Sequence, residues 1–287
     1  MKLVRFDAGA GPRHGLIRED AVIDVLRAGA AWSTPLDAIR AGDRALDDLK
    51  RLVDTASADH AIADVRLLAP IPRPGKFLAI GMNYRKHIEE SIKLGVEEPK
   101  RQFWFNKQTT CIIGPADEIV KPNVSDQVDY EVELGVVIGK PARHVSADDA
   151  QGHIFGYMVV NDVSTRDWQY HSPTFTMGKS FDTHGPTGPW IVTADEIEDC
   201  HRLRLTCHVN GEQRQSSDTS QMVHNVYQQI EYLTTAFTLE PGDILATGTP
   251  EGVGIAMTPP HFLTAGDLVR CEVEGVGVIE NRVIAER

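Results

Sequence analysis

Basic residues and long apolar runs are scarce in this sequence, and each scarcity excludes a class of protein. The 287 residues include 29 Lys and Arg against 41 Asp and Glu, a formal charge of −12 at pH 7. Nucleic-acid binding needs clustered basic residues to neutralise phosphates, so we expect no nucleic-acid partner. No apolar stretch reaches the roughly 20 residues that cross a bilayer, and residues 1–25 lack the apolar core of a secretory signal. We therefore expect no membrane partner and a cytoplasmic location.

Cysteine is also scarce, with four residues that form no C-x-x-C pair. This spacing supports neither a disulfide framework nor a structural zinc site, so we expect free thiols. Hydrophobic residues make up 41% and charged residues 24%, which is ordinary for a globular protein. What remains is a soluble protein whose partner is a small molecule or another protein.

The order of strand and helix signals predicts an α+β protein with a mostly β core. Residues 1–70 contain short strands and then a helical stretch, and we interpret them as a small N-terminal α/β segment. Three prolines and a glycine at residues 70–75 mark a boundary, so residues 71–287 form the main domain. Strand signals dominate that domain, and Asn210-Gly211 predicts a hairpin turn. Helices are predicted there at residues 84–94, 146–152 and 222–237.

Three acids, Asp129, Glu131 and Glu133, alternate with apolar residues. In a strand they would share one face, with neighbouring carboxylates roughly 6–7 Å apart. At an effective dielectric constant of about 20, two such charges repel by about 2–3 kcal/mol. Water at a solvated edge would screen this repulsion, whereas a divalent cation would convert it into ligation. Oxygen ligands without His or Cys favour Mg²⁺ or Mn²⁺, with Ca²⁺ as a further candidate.

A further acid, Asp162, follows an apolar strand predicted over residues 156–161. An ionised carboxylate at the end of such a strand is costly unless it is paired or bound to a metal. The alternative is an Asx-turn or a helix N-cap that leads into residues 164–166. Three oxygen ligands from two strands would leave coordination positions for substrate and water.

The pair His87 and Glu90 has the spacing of neighbours on one helix face. A carboxylate that holds an imidazole makes a general base, although a surface pair would have the same spacing. Two glycine-rich runs, residues 178–186 and 247–254, do not fit the phosphate-loop pattern, but their glycines would allow a small ligand to approach the backbone closely.

Five motifs in this order resemble those of the fumarylacetoacetate hydrolase family. They are G-x-N-Y-x-x-H-x-x-E, D-Y-E-x-E-L-x-x-V-I-G, N-D-x-S-x-R-D-x-Q, G-K-S-F-D-x-x-x-P-x-G-P-W and T-G-T-P-x-G-V-G. The resemblance is to the smaller prokaryotic-type members, such as acylpyruvate and 2,4-diketo-3-deoxy sugar-acid hydrolases. It implies a distorted mixed β-sandwich roll and a homodimer. Residues 169–177, which precede Gly178, resemble a loop of the sugar-acid and diketo-acid members.

The resemblance also implies a role for each matched residue. The positions matched to ligands of Mg²⁺ or Mn²⁺ are Glu131, Glu133 and Asp162. The positions matched to catalytic groups are His87 and Glu90, which activate water, and Lys179, which stabilises an enolate. The positions matched to substrate contacts are Tyr84, Lys107, Arg166, Gln169 and Thr249.

The function implied is metal-dependent hydrolysis of a C–C bond in a 2,4-diketo acid of the acylpyruvate type. The His87–Glu90 dyad would deprotonate a water that adds to the distal carbonyl, and cleavage would give pyruvate and a carboxylic acid. Oxaloacetate decarboxylation and isomerisation or hydration of 2-hydroxyhepta-2,4-dienedioate-type compounds are alternatives at the same site. We expect the partner to be a small diketo or oxo acid. An alternative of another class is a non-catalytic module that binds a small molecule or a metal.

Overall fold

The strands form three sheets, in a computed structural model that describes residues 1–287. The strands are β1 (Lys2–Asp7), β2 (Pro12–Arg18), β3 (Ala21–Asp24), β4 (His60–Ala61), β5 (Arg66–Leu68), β6 (Phe77–Gly81), β7 (Phe103–Asn106), β8 (Ile112–Ile113), β9 (Ile119–Lys121), β10 (Val128–Asp129), β11 (Val132–Ile138), β12 (Ile154–Asn161), β13 (Ser164–Thr165), β14 (Gly185–Thr193), β15 (Arg204–Val209), β16 (Glu212–Asp218), β17 (Ile244–Ala246), β18 (Leu268–Val273) and β19 (Gly277–Ala285). The α-helices are α1 (Pro35–Ala41), α2 (Asp43–Thr55), α3 (Arg85–Lys93), α4 (Arg166–Gln169), α5 (Thr176–Lys179) and α6 (Val226–Ala236). The predicted mostly β architecture is confirmed.

The large sheet has 12 strands, with the main order β4-β3-β2-β1-β14-β12-β11-β17-β6-β7. A five-stranded sheet has the order β16-β15-β18-β19-β9, and β10 pairs with β13. One hydrophobic core contains residues of both β11 and β12 from the large sheet and β15 and β18 from the five-stranded sheet. Because every residue of β11 and β12 is buried, polar side chains at their ends are held in a low-dielectric environment.

The N-terminal segment shares the large sheet with the rest of the chain. Strand β1 pairs with β14, where Leu3 lies opposite Ile191. The helical stretch predicted in this segment is two helices, because Gly42 between them has a φ of +66°. Helix α1 begins after Thr34, whose side chain accepts a hydrogen bond from the amide of Asp37.

Strands β11 and β12 are antiparallel, and Val132 lies opposite Asn161. The start of β11 therefore lies beside the end of β12, which brings the predicted acids of both strands to one end of the pair. The prediction that one strand contains Asp129, Glu131 and Glu133 is wrong in one respect. The chain leaves the ladder at Tyr130 and Glu131, so Asp129 belongs to β10 and pairs with Ser164.

Two of the three helices predicted in the main domain are present as α3 and α6. Helix α6 begins with a capping box formed by Asn225 and Gln228. The helix predicted at residues 146–152 is wrong, since only a short 3₁₀ turn is present at residues 150–153. The predicted hairpin joins β15 and β16, and both turn residues have positive φ, +53° at Asn210 and +82° at Gly211. No helix has the length and apolar character that crossing a membrane requires.

Candidate active site

A cavity of about 330 Å³ lies beside α3, the loop at residues 170–175 and the glycine-rich turn at residues 248–256. Eight of the eleven residues predicted for the site line it, namely His87, Glu90, Glu131, Glu133, Arg166, Gln169, Lys179 and Thr249. Asp162 does not line the cavity, but its carboxylate lies within 4.8 Å of those of the two glutamates. Tyr84 and Lys107 do not line the cavity.

The three acids predicted as metal ligands form one buried cluster. Glu131, Glu133 and Asp162 each place a carboxylate oxygen within 4.8 Å of the others. The ammonium of Lys179 lies 2.6 Å from Glu131 Oε2 and 2.8 Å from Asp162 Oδ2. Glu133 has no such cation and accepts only the amide of Gly248, at 2.7 Å.

The electrostatics of this cluster suit a divalent cation. Burial raises the pKa of Glu133 well above its usual value, and the charges of Asp162 and Glu131 add to the effect. Burial opposes ionisation of Glu131 as well, but Lys179 and Arg166 prevail and lower its pKa to about 2. The cluster therefore has one carboxylate, Glu133, that no cation of the protein contacts directly, and its donors are all oxygens. These residues fit a hard cation such as Mg²⁺ or Mn²⁺.

Two lysines hold Asp162 from opposite sides. Lys107 Nζ donates to Asp162 Oδ1 at 2.6 Å and also to the backbone oxygen of Lys179. Lys107 is fully buried behind the cluster, which is why it does not reach the cavity. Burial opposes protonation of Lys179, but Asp162 and Glu131 prevail and raise its pKa. Lys179 is therefore a cation at neutral pH and cannot serve as a base.

The dyad predicted from the His87–Glu90 spacing is formed on α3. His87 Nδ1 lies 3.0 Å from Glu90 Oε2. The other oxygen of Glu90 accepts the backbone amide of Gly252, also at 3.0 Å. With Nδ1 assigned as the donor to the carboxylate, Nε2 is the ring nitrogen with a free lone pair, and His87 lines the cavity.

Arg166 is held by three acceptors. Its Nε donates to Asp129 Oδ2 at 2.8 Å, and its Nη1 lies 2.7 Å from Glu131 and 3.1 Å from Gln169 Oε1. Its Nη2 is buried without a partner. Asp129 also accepts the amides of Gly254 and Ile255. Sequence reasoning placed Asp129 on the face of the ligand acids, but it instead positions Arg166.

Thr249 lines the cavity, but its hydroxyl is committed within the protein. It donates to the oxygen of Val132 at 3.0 Å and accepts Gln215 Nε2 at 2.9 Å. Gln215 Oε1 accepts the amide of Val132. Gln215 lies on β16 of the five-stranded sheet, and no local pattern in the sequence singles it out.

The position of Tyr84 gives it no direct contact with a ligand in the cavity. The residue immediately precedes α3, its side chain is fully buried in the core, and its hydroxyl has no partner. Its predicted substrate contact, like that of Lys107, has no support from this arrangement.

The predicted residues of the cavity and of its acid cluster belong to the sequence motifs that resemble a known family. Comparison with known proteins agrees with that resemblance. Residues 76–284 match the family model described as fumarylacetoacetate (FAA) hydrolase C-terminal. The chain belongs to the fumarylacetoacetate hydrolase family. Residues 1–70 match a second model, described as Rv2993c-like, N-terminal. The chain is thus an enzyme of this family with an N-terminal segment of a recognised type.

Individual members of the family are similar over almost the whole chain. The mitochondrial oxaloacetate tautomerase FAHD2A of Bos taurus is 42% identical over 291 residues, which cover 99% of this chain and 92% of that protein. The fumarylacetoacetate hydrolase of Exiguobacterium antarcticum is 36% identical, with a TM-score of 0.87 and full coverage of both chains. Maleylpyruvate hydrolase of Sphingobium sp. SYK-6, solved with manganese(II) and pyruvate, is 31% identical with a TM-score of 0.83, again over both full chains.

Proposed function

We propose that this enzyme interconverts the keto and enol forms of a 2-oxo acid with a second carbonyl at C4, with oxaloacetate as the reference substrate. The observation that carries the proposal is the His87–Glu90 dyad on the wall of the cavity that also contains the acid cluster. A base beside a site for an anionic oxo acid is what proton transfer at C3 requires. The oxaloacetate tautomerase named among the relatives supports the same reaction.

We also propose that Glu131, Glu133 and Asp162 hold one Mg²⁺ or Mn²⁺. Their buried oxygens and the lack of a direct cation contact at Glu133 support this assignment, and the manganese in the maleylpyruvate hydrolase structure is consistent with it. When bound, the cation would act as a Lewis acid toward the oxygens of the substrate.

The remaining steps, proton transfer and orientation of the substrate, are assigned to side chains of the protein. His87 Nε2 takes the proton from C3, the electron pair forms the C2–C3 double bond, and the oxygen at C2 takes up a proton. Glu90 holds the ring by Nδ1 and stabilises the imidazolium that forms. Arg166 lines the cavity and has one guanidinium nitrogen without a partner, and we infer that it orients the carboxylate of the substrate.

Hydrolysis of the C3–C4 bond in a 2,4-diketo acid is the second candidate. The specific support is the maleylpyruvate hydrolase structure, which contains pyruvate. In this reaction His87 would take its proton from water, which adds to the C4 carbonyl. Cleavage then places the electron pair of the C3–C4 bond on pyruvate as its enolate and releases a carboxylic acid.

One assay separates these reactions. The enol form of oxaloacetate and of acetylpyruvate is followed by absorbance in the presence of Mg²⁺, and pyruvate is quantified in the same samples. We expect faster loss of the oxaloacetate enol without pyruvate formation. Pyruvate and acetate from acetylpyruvate would instead establish the hydrolase, and pyruvate with carbon dioxide from oxaloacetate would establish a decarboxylase.

A further inference from the structure

Two side chains continue the hydrogen bonding of β11 at the point where the acid cluster begins. Strand β11 lies between β12 and β17, but β17 pairs with it only at residues 135–137. At Val132, before the first of these residues, side chains take the place of a neighbouring strand. The amide of Val132 donates to Gln215 Oε1 at 3.0 Å, and its carbonyl oxygen accepts the hydroxyl of Thr249 at 3.0 Å.

Val132, Gln215 and Thr249 form a closed ring of hydrogen bonds, which we name the Val132 clamp. Gln215 Nε2 donates to Thr249 Oγ1 and to the oxygen of Pro250, both at 2.9 Å. Because the amide of Val132 can only donate and the oxygen of Pro250 can only accept, the side-chain amide of Gln215 has a single possible orientation. All three residues of the clamp are buried, so bulk water does not compete for these bonds.

Strand β16 has an irregularity next to Gln215. In its pairing with β15, Gln215 lies opposite Cys207, whereas Gln213 lies opposite His208. Arg214 is therefore an extra residue, and the strand forms a β-bulge at this point. Bulges change the direction of side chains and are frequent beside functional sites. The bulge thus favours a functional role for Gln215 over a purely structural one.

Val132 separates two acids of the cluster, Glu131 and Glu133. Because peptide groups are planar, the bond to its amide orients the peptide before it, and the bond to its carbonyl orients the peptide after it. Together these bonds restrain φ and ψ of Val132, on which the separation of the two glutamates depends. Glu131 is held separately, since its amide donates to Asn161 Oδ1 at 3.0 Å and its oxygen accepts the amide of Asp162 at 2.9 Å. The clamp therefore helps to fix Glu133 relative to the other two acids.

We propose that Gln215 is a positioning residue, which holds the acid cluster at the spacing of a small divalent cation and thereby disfavours Ca²⁺. The inference rests on the proposed function, which assigns one Mg²⁺ or Mn²⁺ to this cluster. Mg²⁺ requires nearly ideal octahedral geometry at about 2.0–2.1 Å, whereas Ca²⁺ accepts flexible arrangements of oxygens at about 2.3–2.6 Å. A rigid spacing of the acids favours the smaller ion, and loss of the clamp should relax that preference.

The change Gln215→Met, which keeps the length of the side chain but removes its amide, tests the inference without turnover. Calorimetry compares the affinities of the metal-free protein for Mg²⁺ and Ca²⁺. Loss of groups that orient metal ligands typically costs about 10–100-fold, so Mg²⁺ affinity should fall at least about tenfold. Ca²⁺ affinity should fall less, which lowers the preference for Mg²⁺. Gln213→Met, at an exposed position of the same strand, should bind both ions like the wild type. A wild-type ratio of the two affinities in Gln215→Met would overturn the inference.

Further variants separate positioning from stability, and they decide the matter if Gln215→Met does not fold. Thr249→Val opens the clamp from its other side and should also lower the preference for Mg²⁺. Thr249→Ser keeps the hydroxyl and should bind Mg²⁺ more tightly than Thr249→Val. Because the two side chains act in one ring, the double variant Gln215→Met/Thr249→Val should lose less Mg²⁺ affinity than the two single losses combined. Leu205→Ala, a buried change on β15, should lower the urea midpoint and leave the ion preference unchanged.

The change Glu133→Gln distinguishes this inference from the metal assignment on which it rests. If Glu133→Gln loses Mg²⁺ affinity while Gln215→Met and Thr249→Val keep the wild-type ratio of affinities, the inference fails and the assignment stands. If Glu133→Gln binds Mg²⁺ like the wild type, the assignment itself is refuted, and the inference with it.

Discussion

The carboxylate of Glu90 accepts the backbone amide of Gly252 at 3.0 Å, across 162 residues of sequence. Its other oxygen lies 3.0 Å from His87 Nδ1. One carboxylate thus joins α3 to the glycine-rich turn and fixes the ring that faces the cavity. The orientation of the proposed base consequently depends on a contact between two distant motifs.

The change Glu90→Gln tests this relationship. The amide oxygen of Gln can still accept from Gly252, but its NH₂ group would donate to His87 Nδ1 and place the ring proton on Nε2. Without a free lone pair on Nε2, kcat should fall by about 10²–10⁴-fold, the usual contribution of a general base. Steady-state kinetics measure the loss, and Glu89→Gln, at an exposed position of the same helix, is the control. A fall of less than about threefold, far below that range, would show that the dyad is not the base.

The change Gly252→Ala should destabilise the fold. Gly252 has a φ of +97°, and a Cβ there would lie 2.1 Å from the backbone oxygen of Arg214. Gly266 has a similar φ of +104° but open space around it. Gly266→Ala therefore measures the loss of stability caused by a positive φ alone, without a steric clash. The difference between the two variants should be about 1–3 kcal/mol in the free energy of unfolding, the usual cost of overpacking. Urea denaturation measures it, and equal values would mean that the turn moves freely.

The change Glu133→Gln tests the metal assignment. Gln keeps an acceptor for the amide of Gly248 but cannot carry the negative charge of a carboxylate that no cation of the protein contacts directly. Loss of groups around a metal typically costs 10–100-fold in affinity, so loss of a ligand charge should cost at least about 100-fold. Calorimetric titration with Mg²⁺ and Mn²⁺ provides the measurement. Glu90→Gln, in the same cavity but outside the cluster, should bind both ions like the wild type.

Acid should weaken the fold through His14. Burial lowers the pKa of His14 from 6.5 to about 4, although Asp24 and Asp37 oppose the shift. Between those two pH values the unfolded chain takes up a proton that the folded chain does not. The stabilisation is complete above pH 6.5 and is lost as the pH falls toward 4, by about 3 kcal/mol in total.

Urea unfolding across this pH range checks that expectation. In His14→Leu the free energy of unfolding should depend less steeply on pH between 6.5 and 4. His261→Leu, at an exposed position, should retain the wild-type slope. If the free energy of unfolding of the His14 variant depended on pH as in the wild type, His14 would not be the source of the loss of stability in acid.

The sequence predicts the acid cluster and the His87–Glu90 pair because their signals are local. Apolar strands with terminal acids predict that Glu133 and Asp162 lie at the ends of β11 and β12. The i, i+3 spacing predicts that His87 and Glu90 lie on the same face of a helix. The role of Asp129 could not be predicted, because it depends on a break in the strand at residues 130–131. Gln215 reaches the site from another sheet, and pairing between sheets leaves no periodic signal in one segment. The hydrogen bond from Lys107 to Asp162 could not be predicted either, because it depends on the position of Asp162 in the folded chain.

The antiparallel pairing of β11 and β12 also has a kinetic consequence. All three acids of the cluster lie on this one pair of strands or immediately beside its ends, whereas the dyad and its turn come from distant parts of the chain. A pair of strands close in sequence costs less loop entropy to form and can form early. Mutual repulsion of the acids would then raise the free energy of the folding transition state, and not only that of the native state. Added Mg²⁺ should therefore accelerate refolding, and not merely slow unfolding.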